Sequence, residues 1–379
     1  MLALNGGDNA TSDSIAAVLI PRATGANSQM SGVPETMRAI QLTGHGGPDM
    51  LKITQDMPTP SPNAGEVLIK TGAAGVNNTD INTRIGWYSK GEGNAEDASW
   101  GGQALQFPRV QGADICGTVV GVGEGTSTAL MGKRVLVEPC LKESGGSALA
   151  SPWYIGSECD GGFADYVTVA ARHAYSVESQ LSDAELASFP CSYSTAENML
   201  SRAAVSGVDT VLVTGGSGGV GSAAIQLAKA RGARVIAVAG SAKRQSVLDV
   251  GADQVLSRDT NLAAELGENA VDVVIDLVGG NTWPDLLNIL RPFGRYAVSG
   301  AIAGPIVSLD LRTLYLKDQR FFGCTVLDDG VFERLVDLIE QGAIKPLVAQ
   351  AFPLEAIAEA QALFLEKRFT GKLVLDMSL

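Results

Sequence analysis

Residues 211–229 read VLVTGGSGGVGSAAIQLAK: a short β-branched run, a burst of glycines, then apolar residues at a helical period. Val211, Leu212 and Val213 have no polar interruption, which suits a strand buried on both faces of a parallel sheet. From Ala223 onward, Ala224, Ile225, Leu227 and Ala228 fall on one helical face, so the glycines sit where strand hands over to helix. The first turn of a helix presents unpaired N–H groups and the positive end of its dipole, and both favour a phosphate. Gly216, Gly218 and Gly221 match GxGxxG, whose glycines serve a tight turn, the close approach of a pyrophosphate and helix-to-strand packing. Gly219 and Val220 lie between the last two and belong to the same candidate phosphate loop. Strands are expected to follow at ARVIAVA from Ala233, DQVLS from Asp253, VDVVIDLV from Val271 and GRYAVSGA from Gly294.

The end of the second strand decides which dinucleotide fits. A reader of NAD usually places Asp or Glu there, about twenty residues past the glycines, on the ribose hydroxyls. This chain has Ala239, Gly240 and Ser241 instead, followed by Lys243 and Arg244. Two cations without an acid suit a 2′-phosphate, so NADP(H) is expected, with Ser241, Lys243 and Arg244 as its readers. The alternative is that the two cations only solvate a helix start.

A chain of 379 residues has room for two domains, each with its own core. A hydrophobic fraction of 45% and a charged fraction of 18% describe a soluble globular protein. The excess of 41 acidic over 28 basic residues, a net charge of −13, argues against nucleic acid or an anionic membrane as partner. No apolar stretch is long enough to span a bilayer. Five scattered cysteines make no disulfide framework and fit a reducing, cytoplasmic setting. Residues 1–36 are rich in Gly, Ser, Thr and Asn and lack the basic start and long apolar core of a signal peptide, so a flexible extension is expected there.

The motifs outside the glycine loop are GGPDML at Gly46, GEVLIK at Gly65, AAGVNNTDINTRIGWY at Ala73, VQGADICGTVVGVGEG at Val110, GKRV at Gly132, GGFADYVTV at Gly161, FPCSYSTAENML at Phe189 and RFTGKLVL at Arg368. With them the chain resembles the medium-chain dehydrogenase/reductase superfamily from Met37 onward, and within it the zinc-free quinone oxidoreductase-like branch. The resemblance implies an α/β architecture: a GroES-like β-rich catalytic domain over residues 37–180 and 344–379, and a Rossmann doubly wound parallel sheet binding NADP over residues 181–343. The residue pattern agrees independently. Short strands with Gly and Pro turns precede Tyr175, strands alternate with helices between Asp183 and Gly342, FERLVDLIEQG closes that region, and KLVLDM reads as a last strand.

Zinc-dependent members hold catalytic zinc with Cys, His and Cys. In the matching places this chain has Asn77, Ala113 and Cys191, and one thiolate does not make such a site. Cys140 and Cys159 lack CxxC spacing, so no metal is expected, and the only two histidines, His45 and His173, are expected to be structural or surface residues. Without a Lewis acid the acceptor must itself spread the charge that hydride brings, as a quinone or an α,β-unsaturated carbonyl does. The resemblance puts Asn77 beside the nicotinamide, with Asp80, Arg84 and Tyr88 shaping the substrate cleft. Tyr88 and Tyr193 are the candidate catalytic hydroxyls, the alternative for each being a packed aromatic bonded to backbone. Thr195, Val278 in DLVGG, Ser299 and Ala301 in SGAIAG, and Lys372 lie where relatives line the dinucleotide.

Two stretches, 87–106 and 140–158, are expected as long polar loops that either line the cleft with Trp87, Tyr88, Trp100 and Trp153 or merely cover the barrel. The expected function is a zinc-independent NADPH-dependent oxidoreductase acting on a small quinone or enone. An enoyl-thioester or alkenal reductase is the enzymatic alternative, and a non-catalytic NADPH-binding structural or nucleic-acid-binding protein the alternative of another class. The family, and the apolar strand RFFGCTV from Arg320, also suggest a homodimer.

Overall fold

The computed structural model describes residues 32–90 and 98–379. The extension expected over residues 1–36 lies outside the described residues as far as residue 31, as do residues 91–97 of the first long loop.

The apolar run before the glycines forms the strand Thr210–Val213, and its alternate side chains supply two separate cores. Val211 and Val213 join Val235, Ala237, Val273 and Ile275 on one face, packed with residues of the helices Pro190–Arg202, Gly219–Ala230 and Val331–Glu340. Leu212, Ile236 and Val274 face the other way, onto Trp283, Leu286 and Leu287. A strand buried on both faces is what an uninterrupted apolar run requires. The sheet runs Gln254–Ser257, Arg234–Ala239, Thr210–Val213, Val271–Asp276, Leu290–Val298, Arg320–Gly323, with every pairing parallel. This is the doubly wound order whose reversal point, between Thr210–Val213 and Val271–Asp276, opens a crevice at the carboxyl ends of the strands.

The remaining strands build the β-rich half. A seven-stranded sheet is centred on the long strand Glu66–Val76, which pairs with Asp114–Val122, Tyr166–Ala170 and Lys372–Asp376. A three-stranded sheet of Leu51–Pro58, Thr36–Leu42 and Arg109–Val110 accompanies it. The late strand Lys372–Asp376 runs antiparallel to Glu66–Val76 with Leu373 opposite Val76, which sets Lys372 beside Asn77.

One expectation needs correction. Residues 140–158 are not a long polar loop: Cys140–Ser144 and Ser147–Tyr154 form an antiparallel hairpin. The turn is Gly145-Gly146, both with positive φ (56° and 72°), a backbone shape that glycine adopts without Cβ strain and that closes two-residue hairpins. His173 fixes the hairpin base, accepting from the Lys142 N–H at 2.9 Å and lying 2.8 Å from Glu138 Oε2.

Candidate active site

The glycine loop carries three different constraints. A Cβ on Gly221 would lie 2.2 Å from the Gly215 carbonyl oxygen, so this glycine allows the helix to start directly against the loop. A Cβ on Gly216 would lie 3.0 Å from Ala237 Cβ, against the second strand. At Gly218, the residue before helix Gly219–Ala230, a Cβ would meet only the Gly215 oxygen at 3.4 Å, so that side is open for a ligand to approach the helix start. The loops beside it are organised by Asp276, wholly buried, which accepts from Thr214 Oγ1 and Tyr296 OH (2.6 Å each) and from the N–H of Val278 at 3.0 Å. Val278 lies 3.4 Å from the Cβ position of Gly215, and the turn with Ser299 and Ala301 packs onto the same loop through the bond from Ala303 N to the Val278 oxygen. The residues thus fit a dinucleotide along the carboxyl ends of the strands.

At the end of the second strand no acid appears. Ser241 is exposed, 3.3 Å from Ser257 Oγ, and burial together with the charge of Arg258 pushes the Lys243 ammonium down. Arg244 is tied to the Val255 carbonyl, and it is Arg258 that lies over Gly240, its Nη2 2.6 Å from the Cβ position there. The cation in that place therefore comes from the third strand's end, beyond the reach of a local motif.

The second half of the site grows from the end of strand Glu66–Val76. Asn77 caps helix Asn78–Ile85, and its N–H donates to Asp80 Oδ2 at 2.7 Å in a capping box. The Asn77 amide donates to Asp114 Oδ2 at 2.8 Å, while Lys372 Nζ donates to Asn77 Oδ1 and to Asp114 Oδ2, the latter at 2.6 Å. Asp114 also accepts from the Cys191 N–H. Asn77, Asp114 and Lys372 are all at most 5% exposed, so each charge is held by its partner rather than by water. A Cβ on Gly219 would sit 3.0 Å from Lys372 Cδ and 2.6 Å from Ser192 Oγ, so the lysine stem crosses the first turn of the glycine-loop helix.

Cys191 Sγ lies 2.8 Å from Tyr154 OH, and burial, with Asp114 nearby, pushes its thiol up to about 12. Burial also raises the Tyr154 hydroxyl well above its ordinary range, and Trp100 stacks on that ring at 5.1 Å. Tyr88 donates to Thr79 Oγ1 at 3.0 Å, and its hydroxyl, raised by burial, feels the charges of Cys191 and Asp80. Two hydroxyls and a thiol therefore converge beside Asn77. Trp87 packs edge-on against Tyr88 and is largely exposed, whereas Trp153 pairs across the hairpin with Leu141 and packs on the barrel. Thr195 is partly exposed on helix Pro190–Arg202.

Three expected roles do not survive the geometry. Tyr193 is 1% exposed, with its hydroxyl donating to the Lys345 carbonyl at 2.9 Å and accepting from Gln226, so it is a packed aromatic. Arg84 is buried, bonded to Gln361 Oε1 at 2.9 Å and to the Gly46 carbonyl, so it fastens helix Asn78–Ile85 rather than meeting substrate. Asp80 is 3% exposed and committed to the cap; burial raises its carboxyl to about 7, opposed by the Asn77 N–H and by Lys372. It positions Asn77. Sequence reading passed over Tyr154, Asp114 and Asp276. Among the described residues no group of three His, Cys, Asp or Glu side chains is arranged to hold a metal.

Two family models match, the alcohol dehydrogenase GroES-like domain over residues 63–179 and the zinc-binding dehydrogenase over residues 219–341. The chain belongs to the medium-chain dehydrogenase/reductase superfamily. This medium-chain oxidoreductase is 30% identical to a quinone oxidoreductase of Lama guanicoe, over 86% of the chain and 92% of the relative. It is 31% identical to an acryloyl-coenzyme A reductase of Metallosphaera sedula, over 89% and 99%. A crystal structure from Sinorhizobium meliloti, provisionally described as an alcohol dehydrogenase, is 48% identical with a TM-score of 0.84, over 92% of this chain and 98% of that one. The protein is an oxidoreductase of this superfamily with a nicotinamide cofactor, and among its described residues no helix is long and apolar enough to cross a membrane.

Proposed function

We propose that this medium-chain reductase uses NADPH, without zinc, to reduce a small conjugated carbonyl acceptor, a quinone or an enone, in the cytoplasm. The observation that carries the reading is the Lys372 ammonium fixed between Asn77 and Asp114, in the neighbourhood where metal-dependent relatives keep ligands. An amide, an alanine and a lone neutral thiol do not make a tetrahedral N/S site. The absence of an acid over residues 239–244, with Lys243 following and Arg258 over Gly240, supports NADPH over NADH. We assign the dinucleotide to residues 181–343 and the acceptor to the cleft between them and the flanking β-rich segments.

When bound, the nicotinamide supplies the hydride. Gly216, Gly218, Gly219 and Gly221 hold the pyrophosphate; Val278, Ser299 and Ala301 line the groove. Lys372 and Asp114 hold the Asn77 amide in one orientation, with its N–H spent on Asp114 and its oxygen on the ammonium. Tyr154, and Tyr88 once its proton turns from Thr79 Oγ1, both kept protonated by burial, are the hydroxyls able to donate a hydrogen bond to the oxygen where charge gathers. A single oriented donor of this kind contributes on the order of a hundredfold to a thousandfold in rate. A simple ketone would concentrate that charge on one oxygen, whereas a conjugated acceptor spreads it. The acryloyl-coenzyme A reductase among the relatives favours an enoyl thioester as the second reading.

The edge strand Arg320–Gly323, with exposed Ile302, Ile306, Leu311, Tyr315 and Leu316 preceding it, supports a homodimer. The test of function is turnover: NADPH oxidation against one quinone, one enone, one enoyl thioester and one saturated ketone, with and without chelator. Chelator-insensitive reduction of conjugated acceptors only is expected. Reduction of the saturated ketone that stops on chelation would overturn the reading.

A further inference from the structure

Residues 367–372 cross from the catalytic domain to the Rossmann unit. Thr370 Oγ1 lies 2.9 Å from Ser246 Oγ, and the Gly371 N–H donates to the Ser217 carbonyl at 3.3 Å. This strap begins at Lys367, which ends helix Ile357–Glu366 in the left-handed region at φ 53°. The turn brings its ammonium over the Phe364 ring, 3.7 Å from the centroid, and to 3.5 Å from Asn78 Oδ1. Lys243 lies close enough for its charge to act on Lys367, and Arg258, over Gly240, acts in turn on Lys243. No acidic side chain pairs with any of these three cations among the described residues. In a chain with 41 acidic residues against 28 basic ones, a cluster of cations free of acids stands against the overall charge balance. Burial, with the charge of Lys243, pushes the Lys367 ammonium down to about 8, as expected for like charges awaiting an anion.

We propose that Lys367 from the catalytic domain joins Lys243 and Arg258 from the Rossmann unit around the 2′-phosphate of NADPH, so that this phosphate ties the two domains together across the cleft. The inference rests on the NADPH reading and adds to it a reader that lies outside the dinucleotide-binding unit. The 2′-phosphate then contributes to closure of the cleft as well as to cofactor choice.

The full chain, with Lys367→Met, Lys367→Arg and Arg258→Met, is titrated with NADPH, NADH and 2′,5′-ADP. Loss of one charge on the phosphate should weaken NADPH and 2′,5′-ADP about tenfold in Lys367→Met, leave NADH within about twofold, and be largely repaired in Lys367→Arg. Amide exchange at Thr370 and Gly371 should slow on adding 2′,5′-ADP to the wild type and not to Lys367→Met. Equal weakening of NADPH and NADH would place Lys367 on the pyrophosphate and overturn the proposal. Unchanged NADPH binding in Lys367→Met, with loss in Arg258→Met, would confine the phosphate to the Rossmann unit and also overturn it, while leaving the NADPH reading intact. A wild type that prefers NADH would remove both.

Discussion

Lys372 and Asp114 share one hydrogen bond in a place almost without water, 2% and 0% exposed. Removing one member of such a pair leaves the other charge buried and uncompensated, at a cost of about 3–5 kcal/mol. Lys372→Met should therefore lower the melting temperature sharply, and adding Asp114→Asn should recover part of the loss. If the double variant melts below the single one, the pair is not the source. Cys191 permits a second prediction at this scale. With its thiol held near 12, the reactive thiolate is scarce at neutral pH and grows about tenfold per pH unit up to that value. Iodoacetamide labelling of Cys191 should be very slow at pH 7 and still climbing at pH 10; a plateau by pH 9 would contradict the buried thiol.

Among the elements, the glycine loop is where sequence and structure agree most closely, because each glycine answers a local constraint. Gly218→Ala meets nothing nearer than 3.4 Å, so it should fold with nearly unchanged melting temperature yet bind dinucleotide at least about tenfold more weakly. Gly221→Ala would press a Cβ to 2.2 Å from a carbonyl oxygen, and should lose binding together with about 1–3 kcal/mol of stability. Equal melting temperatures for the two variants would contradict this division. The strands of the parallel sheet were legible for the same local reason: apolar runs bounded by turns. The hairpin at 140–154 was missed although its Gly145-Gly146 turn was visible, because its strands alternate small and polar residues with few large apolar ones. Residues that act through partners distant in sequence were not legible. Arg258 reaches Gly240 from another strand's end, and Tyr154 is told from Trp153 only by which face of the hairpin each occupies. Arg84 and Tyr193 looked like cleft residues because their motifs are, but a motif does not say which of its side chains turn inward.

At the scale of the whole molecule, the parallel sheet ends in the strand Arg320–Gly323, whose outer edge pairs with no strand among the described residues and which is preceded by apolar side chains standing in water: Ile306 is 87% exposed and Leu316 71%. A second copy meeting the first edge to edge would bury both features. Sedimentation should give a dimer at micromolar concentration, and Ile306→Arg with Leu316→Arg should shift it to monomer while dinucleotide binding is retained. A wild-type monomer would end the suggestion.

The strand Lys372–Asp376 lies inside the seven-stranded sheet, between Glu66–Val76 and the end strand Val348–Phe352, and delivers Lys372 to a partner 295 residues earlier. A ribosome makes the long strand Glu66–Val76 first, then the whole parallel sheet, and only afterwards the segment that completes the first sheet. Domains fold as units during synthesis, so the nascent chain can assemble its dinucleotide-binding half while the other half still waits. Until residue 372 has left the exit tunnel, Asn77 and Asp114 have no ammonium between them, so the order of translation itself makes this buried network the last part of the sheet to be completed.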